Sequence, residues 1–97
     1  MENKEAYRKK VQAQLDEWKA EADKMRAKFN KKKADSEIEY AKYLDVLKEK
    51  QKKTRAKLKK LEEAGEGAWK ELKKGIDKAT DDLKKSFDEA KRKLSDN

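Results

Sequence analysis

The chemistry of this chain is concentrated in thirteen consecutive residues. The run Lys48-Glu-Lys-Gln-Lys-Lys-Thr-Arg-Ala-Lys-Leu-Lys-Lys60 holds eight basic side chains, Lys48, Lys50, Lys52, Lys53, Arg55, Lys57, Lys59 and Lys60, against one acid. On a helix, such a run can neutralise phosphates and so give sequence-independent, salt-sensitive contact with nucleic acid, or it can hold anionic lipid headgroups. The blander reading is a solvated face that keeps a thin helical chain in solution, which is what charge runs in helical proteins usually do. Nucleic acid is the weaker of the specific readings, because no base-reading module is recognisable and the Trp and Tyr residues lie outside the run.

Little else in the sequence could react. The chain has no His and no Cys, and it carries no glycine-rich phosphate loop. No small group of carboxylates stands apart from the surrounding lysines to hold a metal. The acid pairs Glu62-Glu63 and Asp81-Asp82 are neighbours in sequence, about 100° apart around a helix, so they do not converge on one point. A thin chain also has no room to enclose a substrate. No catalytic residue, cofactor or metal is expected, and the chain reads as non-enzymatic.

The elements that must position the basic run follow from composition and periodicity. Of 97 residues, 34% are hydrophobic and 52% charged, with a net charge of +8, so a thick core cannot be assembled. Proline is absent, glycine occurs three times, and Lys, Glu, Ala, Leu and Asp dominate, as in long helices and coiled coils. Disorder is the competing class for such a composition, and periodicity decides against it. The first residues, Met1-Glu-Asn-Lys-Glu, lead into no apolar run that would make a secretory signal. No stretch approaches the roughly 18 apolar residues of a membrane span. With no cysteine to suggest an oxidising compartment, a cytoplasmic protein is expected.

Val11, Leu15, Trp18, Ala22, Met25 and Phe29 alternate spacings of four and three, as a heptad seam on one helix face. Leu44, Leu47, Gln51, Thr54, Leu58, Leu61, Gly65 and Ala68 form a second seam, in which the polar Gln51 and Thr54 should loosen packing and help set register. Residues 30–36 interrupt the apolar stripe. Ser36 with Glu39 matches a capping box, and Lys31 to Lys33 suit a helix ending near Asn30, which favours a turn. No Gly or Pro enforces one, however. The balance tips to a continuous helix from about Lys4 to Ala64, roughly 90 Å long, with the turn as the alternative. Gly65 and Gly67 predict a helix C-cap and a turn.

Beyond that turn, Trp69 to Ala79 and Thr80 to Ala90 are successive eleven-residue repeats, and a third begins at Lys91. Eleven residues make three helical turns, so Trp69, Leu72, Ile76, Ala79, Leu83, Phe87, Ala90 and Leu94 return to one face of a helix over about 68–94. That stripe is roughly 80° wide, narrower than a lone membrane-surface helix buries, and suits a partner helix. Gly75 and Ser86 border it and would let a second backbone come close, while Lys73, Lys84 and Lys91 lie on one border and Glu71 and Asp82 on the other. Trp18 and Trp69 fall on seam positions and read as core, as do Tyr40 and Tyr43 with their hydroxyls in water.

Three stretches, Leu15-Asp-Glu-Trp18, Ile38-Glu-Tyr40 and Gly67-Ala-Trp-Lys-Glu-Leu-Lys-Lys-Gly-Ile-Asp-Lys-Ala79, resemble a family of small bacterial coiled-coil proteins described as stress-response or uncharacterised coiled-coil domain proteins. The likeness runs over nearly the whole chain. It implies a cytoplasmic, non-enzymatic, stress-associated protein and supplies no catalytic residues. Members often carry a second Trp late in the C-terminal segment, whereas this chain has Thr80 after Ala79.

The expected whole is a single all-α domain of long amphipathic helices in a coiled-coil hairpin, with a three-helix bundle as the alternative. Its seam residues are Val11, Leu15, Trp18, Met25, Phe29, Leu44, Leu47, Leu58, Leu61, Trp69, Leu72, Ile76, Leu83, Phe87 and Leu94. A C-terminal helix of this length cannot cover one twice as long, so the Val11 to Phe29 face is expected to remain open for a second copy or another helical protein. The alternative is reversible binding of anionic lipid or nucleic acid through residues 48–60, with the C-terminal helix as apolar anchor. No small-molecule substrate is expected.

Overall fold

The computed structural model describes residues 3–29 and 34–95, with side-chain surroundings over 3–28 and 41–93. Three helices make up the fold: α1 (Lys4–Phe29), α2 (Ala34–Glu63) and α3 (Trp69–Ser95). All three pack against one another, and there is no strand among the described residues. The molecule is a rod of 51 × 17 × 17 Å.

Cross-helix contacts fix the directions. Lys4 and Arg8 of α1 meet Glu62 of α2, and Asp16 meets Arg55, so α1 and α2 run antiparallel. Lys50 of α2 meets both Asp82 and Ser86 of α3. Tyr7 meets Asp77, Trp18 stacks on Phe87 and Glu21 pairs with Lys91, a constant offset of about seventy residues that makes α1 and α3 parallel. Each consecutive pair is therefore a hairpin, and the α1–α3 contact closes the three into a bundle.

Two antiparallel helices thus replace the single helix expected over 4–64. The reason is burial: one extended helix would leave its first seam in water, whereas doubling back covers it at about 25 cal/mol per Å² of apolar surface. The turn held as the alternative over 30–36 falls partly on residues 30–33, which lie outside the described residues. Helix α2 already begins at Ala34, so Ser36 sits within the helix rather than at its N-cap; the side chains of Ser36, Glu39 and Tyr40 lie outside the described set.

The seams meet inside. Val11, Leu15, Met25, Leu44, Leu47, Leu58, Leu61, Trp69, Ile76, Leu83, Phe87 and Ala90 are buried, and Trp18, Ala22, Tyr43 and Leu72 are partly buried against them. The side chains of Phe29 and Leu94 lie outside the described set. Tyr7 also belongs to the core, one step before Val11 in the same seam. The Val11 to Phe29 face expected to stay open is therefore covered within the chain over its described side chains. Val46 is the one exposed large hydrophobic residue among them, at 48%.

The ends are tied. Asn3 Oδ1 accepts the Ala6 amide proton at 2.7 Å and caps α1. Lys4 Nζ donates to the carbonyls of Glu62, at 3.0 Å, and Ala64, at 2.8 Å, placing a cation on the negative end of α2. Residues 64–68 form the expected turn, but by a different device: no glycine has positive φ, so the left-handed cap does not form. Instead the Gly65 carbonyl accepts the amides of Ala68 and Trp69 and starts α3. Nothing lies within 4 Å of a Cβ placed on Gly75, so no backbone approaches there, contrary to the expectation for that position. Its counterpart Ser86 is a hydrogen-bond acceptor for Lys50 Nζ at 2.6 Å.

Candidate functional site

The basic run of α2 is divided by the bundle among three directions. Leu47, Gln51, Thr54 and Leu58 point inward, and at 100° per residue the remaining side chains fan out from them. Lys50 lies on the α3 edge, where it bonds Asp82 at 3.0 Å and Ser86; Lys57 follows it two turns on. Lys53 and Lys60 point away from the bundle and are exposed. Lys48, Lys52, Arg55 and Lys59 form a row on the α1 edge. The eight expected anion contacts are therefore not one surface. Lys50 is a strut between helices, and Arg55 is partly one, bonding Asp16 at 3.0 Å.

Across the groove from that row stand α1 residues that one would not group from sequence. Lys19 and Arg26 face the same space as Lys48, Lys52 and Arg55, and Asp23 is the one acid among the described residues lining it. Elsewhere the helix edges are matched in charge: Arg8 meets Glu62 and Lys91 meets Glu21. Here, continuing the Asp16–Arg55 register by one turn brings Lys19 level with Lys52. Lys19, Arg26, Lys48 and Lys52 make no ion pair with any described residue.

A small residue stands at the floor of the groove. Ala22 stands between Trp18 and Met25 in the α1 seam and lines an open hollow of about 510 Å³ between α1 and α2. Leu44 and Gln51 complete its apolar and polar walls. Gln51 is only 7% exposed, yet its Nε2 has no hydrogen-bond partner. An unpaired buried amide group costs about 1–3 kcal/mol. Thr54, the other polar seam residue, avoids that cost by donating its hydroxyl to the Lys50 carbonyl at 2.7 Å.

The two borders of α3 face complementary neighbours. Lys73 lies 5.5 Å from the Tyr7 ring centroid and Lys91 pairs with Glu21, so part of the basic border meets α1. Asp82, on the acidic border, meets α2. Tyr7 donates its hydroxyl to Asp77 Oδ1 at 2.6 Å, and its ring lies 6.1 Å from that of Trp69. Its place four residues before Val11 was the available sequence signal for this residue.

One surface pair, Glu5 and Arg8, titrates away from its ordinary range. The Glu5 carboxyl is held below its ordinary range chiefly by a hydrogen bond from Arg8, and the Arg8 guanidinium is raised by the same bond. Neither group faces the groove. No group of three or more His, Cys, Asp or Glu side chains that could hold a metal occurs among the described residues, and no described helix is long and apolar enough to cross a membrane.

No family model matches this chain, and neither does any curated protein or solved structure. Its function must be argued from this geometry.

Proposed function

We propose that the protein is a non-enzymatic helical interaction module that docks by charge, taking a polyanion along the edge where α1 meets α2. One observation carries this reading: the row Lys48, Lys52, Arg55 and Lys59 is joined across the groove by Lys19 and Arg26, and of these six cations all but Arg55 are unpaired among the described residues. Concentrated like charge attracts polyanions through counterion release, and a phosphodiester backbone offers evenly spaced charge to a row about 16 Å long.

Self-association or capture of another helix through an apolar seam, coiled-coil fashion, has less support, because the described seams are used within the chain. The same holds for membrane insertion, since Trp69, Ile76, Leu83, Phe87 and Ala90 of α3 are buried and a bilayer would have to open the bundle to reach them. A cytoplasmic, stress-associated role in a bacterium remains what the family resemblance implies, and it adds no contact residue.

The test is a duplex DNA titration across a salt series. Replacing Lys48, Lys52 and Lys59 together with Gln should weaken binding and flatten the slope of log K against log salt by roughly three. Replacing Lys70, Lys74 and Lys78 on α3 removes equal charge from another face and should leave most of the slope. Equal losses in the two triple variants, or no binding at low salt, would overturn the proposal. Anionic vesicles in the same series distinguish a lipid surface from nucleic acid.

A further inference from the structure

We infer that the hollow at Ala22 is a binding site for a small amphipathic anion, a compact apolar body carrying one phosphate, sulfonate or carboxylate group. The inference does not rest on polyanion docking: Lys19 and Lys52 serve both, but what it adds is the floor of the groove at Ala22, Leu44 and Gln51.

Three independent features converge there. The first is shape. About 510 Å³ falls within the range of roughly 300–1,000 Å³ usual for small-molecule sites, and the floor is apolar where Ala22 and Leu44 meet. The second is an orphaned donor. Gln51 lines the hollow while its Nε2 is buried without a partner. Its terminal torsion is broad and two-fold, so a half-turn of the amide presents that N–H group to the groove. Leu or Ile at this seam position would pack without leaving any polar group unpaired, so the amide serves the fold poorly and a ligand well. The third is charge. Lys19, Arg26, Lys48, Lys52 and Arg55 surround the floor, with Asp23 the one acid among the described residues lining it. A cation would be repelled, and a neutral ligand would leave the facing ammonium groups of Lys19 and Lys52 as they are.

An anionic head can accept from Gln51 Nε2 and from Lys52 or Lys19 while its apolar part lies over Ala22 and Leu44, along the methylene stems of the lysines. Inorganic phosphate would satisfy the charges and leave the floor wet, so affinity should depend on the apolar part as well. The same head chemistry could reach the site as a free metabolite or as a lipid in a bilayer.

Nuclear magnetic resonance reads this directly, with octyl phosphate below its micellar concentration as the probe. The Gln51 side-chain amide and the backbone amides of Ala22 and Leu44 should shift and saturate together, with inorganic phosphate and octanol each at least about tenfold weaker. Ala22→Leu covers the floor of the hollow without touching charge: octyl phosphate affinity should fall at least about tenfold while the DNA salt slope stays. Gln51→Leu should raise the melting temperature yet weaken the probe, a combination that a merely structural glutamine would not give, and it decides the matter if Ala22→Leu fails to fold. Phosphatidylglycerol vesicles that compete with octyl phosphate for the wild type, but not for Ala22→Leu, identify the bilayer source; failure to compete identifies the free anion. No saturable shift at Gln51, shifts of equal size along the Lys70 to Lys78 face, or unchanged affinity in Ala22→Leu would sink the inference.

Discussion

Single side chains decide more here than the repetitive composition suggests. Tyr7 shows it: a phenol ring completes the seam and its hydroxyl is spent on a carboxylate of another helix. Tyr7→Phe should cost roughly 1–2 kcal/mol, the range of a hydrogen bond to a charged group that water partly replaces. The Tyr43 hydroxyl has no hydrogen-bond partner among the described residues, so Tyr43→Phe should stay within about 0.5 kcal/mol; equal thermal melts for the two variants would refute the assignment. Gly75 gives the opposite sign. It lies inside α3 with open space where a Cβ would go, so Gly75→Ala should stabilise by about 1 kcal/mol in denaturant unfolding. A loss would mean that a backbone does approach there. Glu5 supplies the pH dependence. Its carboxyl is depressed by Arg8, so the pair's contribution is fully present above the ordinary carboxylate range and is lost as pH falls through the lower, folded-state value. Glu5→Gln should therefore flatten the acid limb of the stability curve, and an unchanged limb would show the pair to be inert.

At the scale of elements, α3 was the most legible, because its eleven-residue repeat places apolar residues on one face whatever they pack against. Ile76, Leu83 and Phe87 are fully buried as that pattern requires. Phe87→Lys should accordingly cost several kcal/mol and reduce helicity beyond its own turn, while Asp88→Lys on the exposed face should change stability by a few tenths. Asp77, beside Ile76, is not a neutral position of the same kind, since it accepts the Tyr7 hydroxyl; periodicity alone cannot see a partner seventy residues away. The break between α1 and α2 was hidden for a related reason. No residue over 30–36 forbids a helix, so what divides the chain is the burial gained when two seams meet. The groove was invisible altogether: Ala22 reads as an ordinary seam residue until the register sets it opposite Leu44 and Gln51. The 64–68 turn was read from its glycines, yet neither uses positive φ. Gly65→Ala and Gly67→Ala meet no atoms and should raise stability by about 0.4–1 kcal/mol through the unfolded chain. Destabilisation measured in either would restore a conformational role to it.

For the whole molecule, the consequence of closing three helices is that the described apolar side chains, Val46 apart, are largely used up internally and the exterior is left mainly to charge. Among the described side chains the helix edges are matched in sign at Lys50–Asp82, Lys91–Glu21, Arg8–Glu62 and Asp16–Arg55, and they are unmatched along the stretch of α1–α2 where Lys19 and Arg26 face Lys48 and Lys52. High salt should therefore act unevenly. It screens the repulsion between Lys19 and Lys52 as well as the struts at Lys50 and Arg55, over a Debye length of about 8 Å at physiological ionic strength.

The odd number of helices has a geometric outcome. Residue 4 sits beside residues 62–64, while residue 91 sits beside residue 21, so the chain enters the 51 Å rod at one pole and leaves near the other. Anything joined to the two ends is held apart by about one helix length, roughly 40 Å at 1.5 Å per residue. The bundle is thus a spacer as well as a surface, and tension applied through its ends would load the three helix contacts together in shear instead of peeling them apart one by one.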